Sequence, residues 1–284
     1  RANQVAAGAE YRWGPYRSKF ALGADYRYVD KINYDTVSYD TTVAVNFPED
    51  SLYHRVGAVL EYSSYEFAKV MRITGMKYAE DLTLGFTARL DYARAFGPRF
   101  RDFAFDDISL RAGYSVRWGG SVVMASYGRS FVLRENAVLK RGNTMLIRYY
   151  NNSLSFMTVA LRSLYVSETR ADNSNMLTLG GIGGMRGYDT YYRTGDRMHV
   201  LNSELRFYPD IELLSVLLGG VAFVDLGRAW KFDESQSISG YSRSWGVGIR
   251  LSLEKISRGE LIRIDLANSQ DHKWQVSIGS RQYF

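Results

Sequence analysis

The segment 108-ISLRAGYSVRW-118 decides the fold class. Ile108, Leu110, Ala112, Tyr114, Val116 and Trp118 share one face of an extended chain; Ser109, Arg111, Gly113, Ser115 and Arg117 share the other. Side chains alternate across a strand with a period of two, so this is a β-strand with one apolar and one polar face. The same alternation runs through 20-FALGADYRY-28, 82-LTLGFTARLDY-92, 201-LNSELRF-207, 245-WGVGIRLSL-253 and 274-WQVSIGS-280.

Alternation alone fits a soluble sandwich equally well. Length and edge chemistry separate the two. Many of these segments run to ten residues or more, against about five or six for an ordinary strand. Their apolar faces begin or end in Tyr, Trp or Phe, while their polar faces carry Arg, Asp, Glu, Gly and Ser. A membrane-crossing strand needs about 9–11 residues, an apolar lipid face, a polar lumen face and aromatic girdles. Closing such strands into a barrel satisfies the backbone within lipid. The expected fold is therefore all-β, a transmembrane antiparallel β-barrel occupying residues 1–284 as one domain.

Composition agrees. The 284 residues include 22 Tyr, 14 Phe and 26 Gly but only 4 Pro, which suits long uninterrupted ladders. The chain has no Cys, which removes disulfides, zinc thiolate sites and thiol catalysis. No apolar run is long enough for a transmembrane helix. Arg1-Ala2-Asn3 shows no secretory signal, and a trimmed or mature terminus is expected there. The net charge of +6 is spread along the chain and gives no nucleic-acid-binding signature.

Strands are expected at 3–13, 18–30, 36–47, 53–63, 66–78, 82–96, 108–118, 120–132, 143–151, 153–167, 199–208, 216–230, 241–253, 260–268 and 273–284. Short turns at 118–121 and 151–153 alternate with longer loops such as 97–107, the asymmetry of an outer-membrane barrel. Fifteen segments against an even-number rule imply sixteen strands, with fourteen as the alternative.

The longest break in alternation is 177–188, which holds 180-GGIGGMRGY-188. Its glycines do not complete a dinucleotide fingerprint and no helix follows. They permit close backbone approach, so the loop can fold against a wall and deliver Arg186. In 221-VAFVDLGRAW-230, Phe223, Asp225 and Gly227 share the face opposite Ala222, Val224 and Leu226. With the second set in lipid, Asp225 points into the lumen. Alternation places Glu204 there as well, beside Asn202 and Arg206.

These residues resemble the C-terminal barrel of the outer membrane protein 85 superfamily, whose members include barrel-assembly, translocation-and-assembly and two-partner-secretion transporters. Met185-Arg186-Gly187-Tyr188, led by Gly183 and Gly184, matches the family's VRGY/F loop motif with Met in the first place. Phe223-Val224-Asp225-Leu226-Gly227 matches its F-x-D-x-G strand motif. The aromatic-terminated 278-IGSRQYF-284, with Gly279, Tyr283 and Phe284, matches its closing strand. The match is clear over 177–284 and generic before it. The resemblance implies that the loop folds into the lumen, that Arg186 meets Asp225 with Glu204 nearby, and that the aromatic terminus serves recognition by assembly machinery or a girdle.

It also implies an insertase or translocase, in a bacterial-type outer membrane or an organelle outer envelope. Its partners are outer-membrane lipids, client polypeptides (unfolded outer-membrane or secreted proteins) and periplasmic accessory proteins. Clients would pass through the lumen or a weakly paired seam between the first and last strands, with residues 273–284 on one side of it. No catalytic residue, metal site, cofactor or nucleic-acid partner is expected. Family members carry POTRA domains before the barrel and none stands in this sequence. The rival functions are a passive pore, or a barrel anchoring or exporting a separate enzymatic domain. His54, His199 and His272 lack ligand spacing and read as structural or interfacial. Asp106-Asp107 and Glu49-Asp50 read as solvated loop acids.

Overall fold

The computed structural model describes residues 2–31, 51–97, 104–135, 137–170, 177–181, 184–234, 240–253 and 260–284. The chain is all-β and antiparallel. Its strands are β1 (Ala2–Trp13), β2 (Ser18–Lys31), β3 (Ser51–Ser64), β4 (Glu66–Met71), β5 (Ala79–Phe96), β6 (Phe105–Trp118), β7 (Ser121–Arg134), β8 (Ala137–Asn151), β9 (Met157–Arg170), β10 (Leu177–Leu179), β11 (Arg193–Gly195), β12 (Arg197–Leu213), β13 (Val216–Trp230), β14 (Ser242–Leu253), β15 (Glu260–Ser269) and β16 (Trp274–Ser280).

The wall is one fourteen-stranded sheet ordered β1-β2-β3-β5-β6-β7-β8-β9-β12-β13-β14-β15-β16, with β4 pairing β5 off this path. β10 and β11 pair only with each other, as a small hairpin beside the wall. Contacts across the interior show that the sheet curls into a barrel. Arg206 on β12 donates to the Ile73 carbonyl in the β4–β5 connection at 2.8 Å. Five ladder steps separate β5 from β12, about 24 Å around the wall at ~4.8 Å per step.

The outward face is the one alternation selects. On β14, Trp245, Val247 and Ile249 are each 54% exposed, whereas Ser244 and Arg250 on the opposite face are buried. Outward aromatics form two rows. Tyr11, Trp13, Phe20, Tyr62 and Phe86 run ring to ring at 4.9–6.3 Å. The second row, Tyr26, Tyr28, His54 and Phe96, has centroids 5.3–6.0 Å apart. From Phe20 to Tyr28 along β2 is about 27 Å, or about 20 Å across the membrane at a tilt of ~40°, near the ~25 Å apolar band of transmembrane barrels. Within the second row Tyr26 Oη lies 2.7 Å from His54 Nδ1, so this histidine belongs to the girdle.

Among the described residues the expected sixteen strands are found, fourteen in the wall sheet and two in the β10–β11 hairpin, with a different distribution from the expected one. The segment 36–47 and the acids Glu49-Asp50 lie outside the described residues. The expected wall strand 66–78 is not one: only β4 is extended, and residues 72–78 turn into the barrel interior. Two strands, β10 and β11, come from the break after β9. The strand expected over 273–284 stops at Ser280, because Arg281 takes φ = +66° and turns the tail inward. Asp106 and Asp107 open β6 instead of lying in a loop; Tyr92 donates to Asp106 at 2.8 Å and Arg55 lies 3.7 Å from Asp107.

Candidate functional site

After β10 the chain drops from the long-loop end into the lumen and returns at β11. Two glycines make the descent. Gly184 (φ +109°) and Gly187 (φ +82°) bracket Met185-Arg186 in a conformation that side chains disfavour. Gly183 lies outside the described residues. Met185 is fully buried with Leu179, Tyr188, Met198, Val200 and Ala229, an apolar cluster that anchors the loop to the wall. Gly227 makes the contact close: a Cβ there would lie 2.8 Å from both Leu179 Cδ1 and Met185 Sδ. Tyr188 donates to the Arg243 carbonyl at 2.7 Å and pins the returning arm to β14.

Arg186 sits at the tip. Its Nε donates to Asp225 Oδ2 at 2.8 Å and its Nη2 to Oδ1 at 2.9 Å, a bidentate fork on β13. The Arg186 amide donates to the same carboxylate at 3.2 Å. Nη1 donates to Glu204 Oε1 on β12 at 2.6 Å and stands 3.7 Å from Asp265 Oδ2 on β15. Aromatic rings close both faces of the guanidinium: Phe223 at 3.5 Å and Tyr283 at 4.1 Å from Cζ. The side chains of Arg186, Glu204 and Asp225 are at most 1% exposed.

A buried charge is tolerable only with its partners in place, and the surroundings supply them. Glu204 also accepts from Arg206 Nε at 2.8 Å, and Asp265 accepts from Arg250 Nη1 at 2.6 Å and Arg263 Nη1 at 3.1 Å. Asn202 donates to both Asp225 and the Gly184 carbonyl at 2.8 Å. Arg186, Arg206, Arg250 and Arg263 thus face Glu204, Asp225 and Asp265, four cations against three anions. Burial pulls the Arg186 guanidinium toward losing its proton, but the Asp225, Glu204 and Asp265 carboxylates together outweigh it, and the pKa stands above the ordinary arginine value.

The C-terminal residues complete the site from below. Tyr283 hydrogen-bonds the Gly181 carbonyl at 3.2 Å and covers Arg263 as well as Arg186. Burial, then Asp225, raises its phenol above the usual range. Gln282 joins Arg250 at 3.1 Å to Tyr208 at 3.3 Å. The Phe284 ring packs with Val70, Ile73, Val122, Tyr150 and Ala160. Tyr283 and Phe284, expected on a closing strand, are lumen residues. Gly279 remains on β16, where Arg263 lies across it; a Cβ would come within 2.7 Å of the guanidinium. His199 meets Ser163 at 3.0 Å and Tyr241 at 2.7 Å.

The structure therefore gathers Arg186, Glu204, Asp225, Phe223, Gly227, Met185, Gly187 and Tyr188 in one place and adds Tyr283. Sequence reasoning named Asn202 and Arg206 only as lumen neighbours of Glu204 and passed over Arg250 and Asp265. Their signal was available: each falls on the lumen parity of its strand.

No family model and no curated protein matches the sequence. Solved structures do. The chain is similar in fold to CdiB. Against CdiB from Escherichia coli the TM-score is 0.52 at 13% identity, covering 99% of this chain and 52% of that one. Against CdiB from Acinetobacter baumannii it is 0.47 at 11%, covering 99% and 50%. The chain thus spans about half the length of either CdiB chain, and at these identities the likeness concerns the fold.

Proposed function

We propose that this barrel carries polypeptides across or into an outer membrane, as a transporter of the outer membrane protein 85 kind. The observation that carries the reading is the joining of two distant motifs: MRGY at 185–188 is clamped to FVDLG at 223–227 by a bidentate ion pair inside the barrel. The fold likeness to CdiB supports the same reading. No bond is made or broken, so the work is done by position. The inner loop braces β12–β15, while the lumen beside β5–β8 stays open. A cleft of 740 Å³ there mixes polar and charged groups such as Ser126, Asn143, Arg111 and Glu168 with apolar Ala112 and Val166, a varied lining suited to an unfolded chain. Clients are unfolded secreted or outer-membrane polypeptides, and lipids contact the outward face.

β1 and β16 end the ladder, each with one paired neighbour among the described residues. Insertion through a seam would use these edges, and secretion would use the lumen. Photo-crosslinkers at Ser126 (lumen), Ile278 (β16) and Leu110 (lipid face) separate the routes. Adducts with a translocating client at Ser126 or Ile278, above the Leu110 background, are expected. Equal yields at all three contradict the proposal.

The same open cleft favours a second reading, a passive pore whose lumen charges set ion selectivity. A large steady conductance together with no client adduct at any position would favour it.

A further inference from the structure

We infer that the β4–β5 hairpin is a built-in plug of the short-turn mouth of the barrel. The barrel has turns at one end after β1 (14–17), β6 (119–120), β8 (152–156) and β12 (214–215). At that end β4 and the start of β5 continue past the level where β3 leaves β5. They do not stand out into solvent as a longer turn. Residues 72–78 cross the mouth instead and land on the opposite wall.

The landing is specific. Met76 is buried against Tyr208, Leu217 and Leu261, and its methyl lies 2.7 Å from where a Gly219 Cβ would stand. Ile73 packs among Val122, Tyr150, Ala160 and Phe284. On the way, Arg72 donates to the Leu154 carbonyl at 3.2 Å and Asn152 donates to the Met71 carbonyl at 2.7 Å. The crossing therefore spans the opening from β5 to β15, not a local stretch of rim.

Two features make it a separate, releasable element. The tip is held in shape from within: Glu80 accepts the amides of Ile73, Thr74 and Gly75 at 2.9–3.1 Å. Its polar fastenings to the far wall, beyond those of Arg72 and Asn152, include an exposed ion pair. Arg206 donates to the Ile73 carbonyl at 2.8 Å, and Lys77 meets Glu212 at 3.7 Å with both side chains near half-exposed. Arg206 simultaneously holds Glu204, which holds Arg186. Plug and inner loop thus share one buried joint. Apolar lumen side chains at Val122, Tyr150, Tyr208, Leu217 and Leu261 meet the tip, with Thr158, Arg206 and Ser252 between them, so much of this mouth is apolar where an open water-filled one would be polar. An apolar constriction of this kind blocks water and ions until it is displaced. This holds for any solute and does not depend on the client reading.

Ion conductance in planar bilayers tests it without any client. In Lys77→Cys/Glu212→Cys, a short bis-methanethiosulfonate linker should suppress openings, and reductant should restore them; the chain has no cysteine of its own. Replacing 72–78 by an Asn-Gly turn should raise single-channel conductance severalfold. The linker arm decides even if the shortened chain fails to insert: openings that ignore linkage overturn the inference. A folded shortened chain with the parent's conductance overturns it as well. Client adducts at Ser126 would bear on the transport reading alone, so the two can fail independently.

Discussion

The two halves of the lumen use the same chemistry in different solvents. Beside β1–β6, Arg89 meets Glu61 at 3.1 Å and Asp91 at 2.9 Å, Arg111 meets Asp91 at 2.9 Å, and Arg55 meets Asp25 at 2.8 Å. These side chains keep 15–62% of their surface in water. Beside β12–β16, the pairs around Arg186 have the same lengths and almost no exposure. Distance does not distinguish the halves; hydration does. A solvated pair contributes about 0–1 kcal/mol, whereas removing one member of a buried pair costs about 3–5 kcal/mol. One half is a wet, adjustable surface, and the other is a dry joint that holds the inner loop, the C-terminal residues and the hairpin tip.

The sharpest break of this contrast is Arg186→Glu. It would set a third carboxylate beside Glu204 and Asp225, with Asp265 close by, and should cost at least the ~3–5 kcal/mol of an orphaned buried charge, read as loss of the heat-modifiable folded band. Adding Asp225→Arg should restore little, because Glu204 and Asp265 would still face the new glutamate. Full rescue would mean that the acids act independently. Gly227→Leu comes next: its side chain would enter the space of Leu179 and Met185, an overpacking cost of about 1–3 kcal/mol that should loosen the loop while the wall still folds. Protease cutting within the loop, with the wall still resistant, would report it. Tyr283→Ala removes one ring from Arg186 and should cost about 1–2 kcal/mol in thermal stability. Smallest of all, Asp91→Asn should change stability by no more than ~1 kcal/mol while shifting the cation-to-anion permeability ratio toward anions. An Asp91 effect as large as that of Arg186 would erase the distinction between the halves.

Most of the wall was legible because lipid outside and polar groups inside impose one rule on every strand. Trp245, Val247 and Ile249 could not point elsewhere without burying Arg250 in lipid. The meeting of Arg186 with Asp225 is another matter. Parity put Asp225 and Glu204 on the lumen face, but the loop's descent depends on contacts forty residues apart, and only the motif resemblance pointed to it. The misread segments 66–78 and 278–284 differ in cause. In 66–78 the residues that become buried are Val70, Ile73 and Met76, spaced by three, so alternation had already lapsed there. In 278–284 alternation gives no warning, because one positive φ at Arg281 redirects the chain and the reward lies far away, at Arg186, Arg206 and Tyr150.

Thiol reactivity at the loop tip tests the central claim directly. Met185 is fully buried against Gly227 of the wall. In reconstituted Met185→Cys, the account predicts no labelling by a charged maleimide from either side, and rapid labelling once Asp225→Asn is added. Rapid labelling of Met185→Cys with Asp225 intact would contradict it.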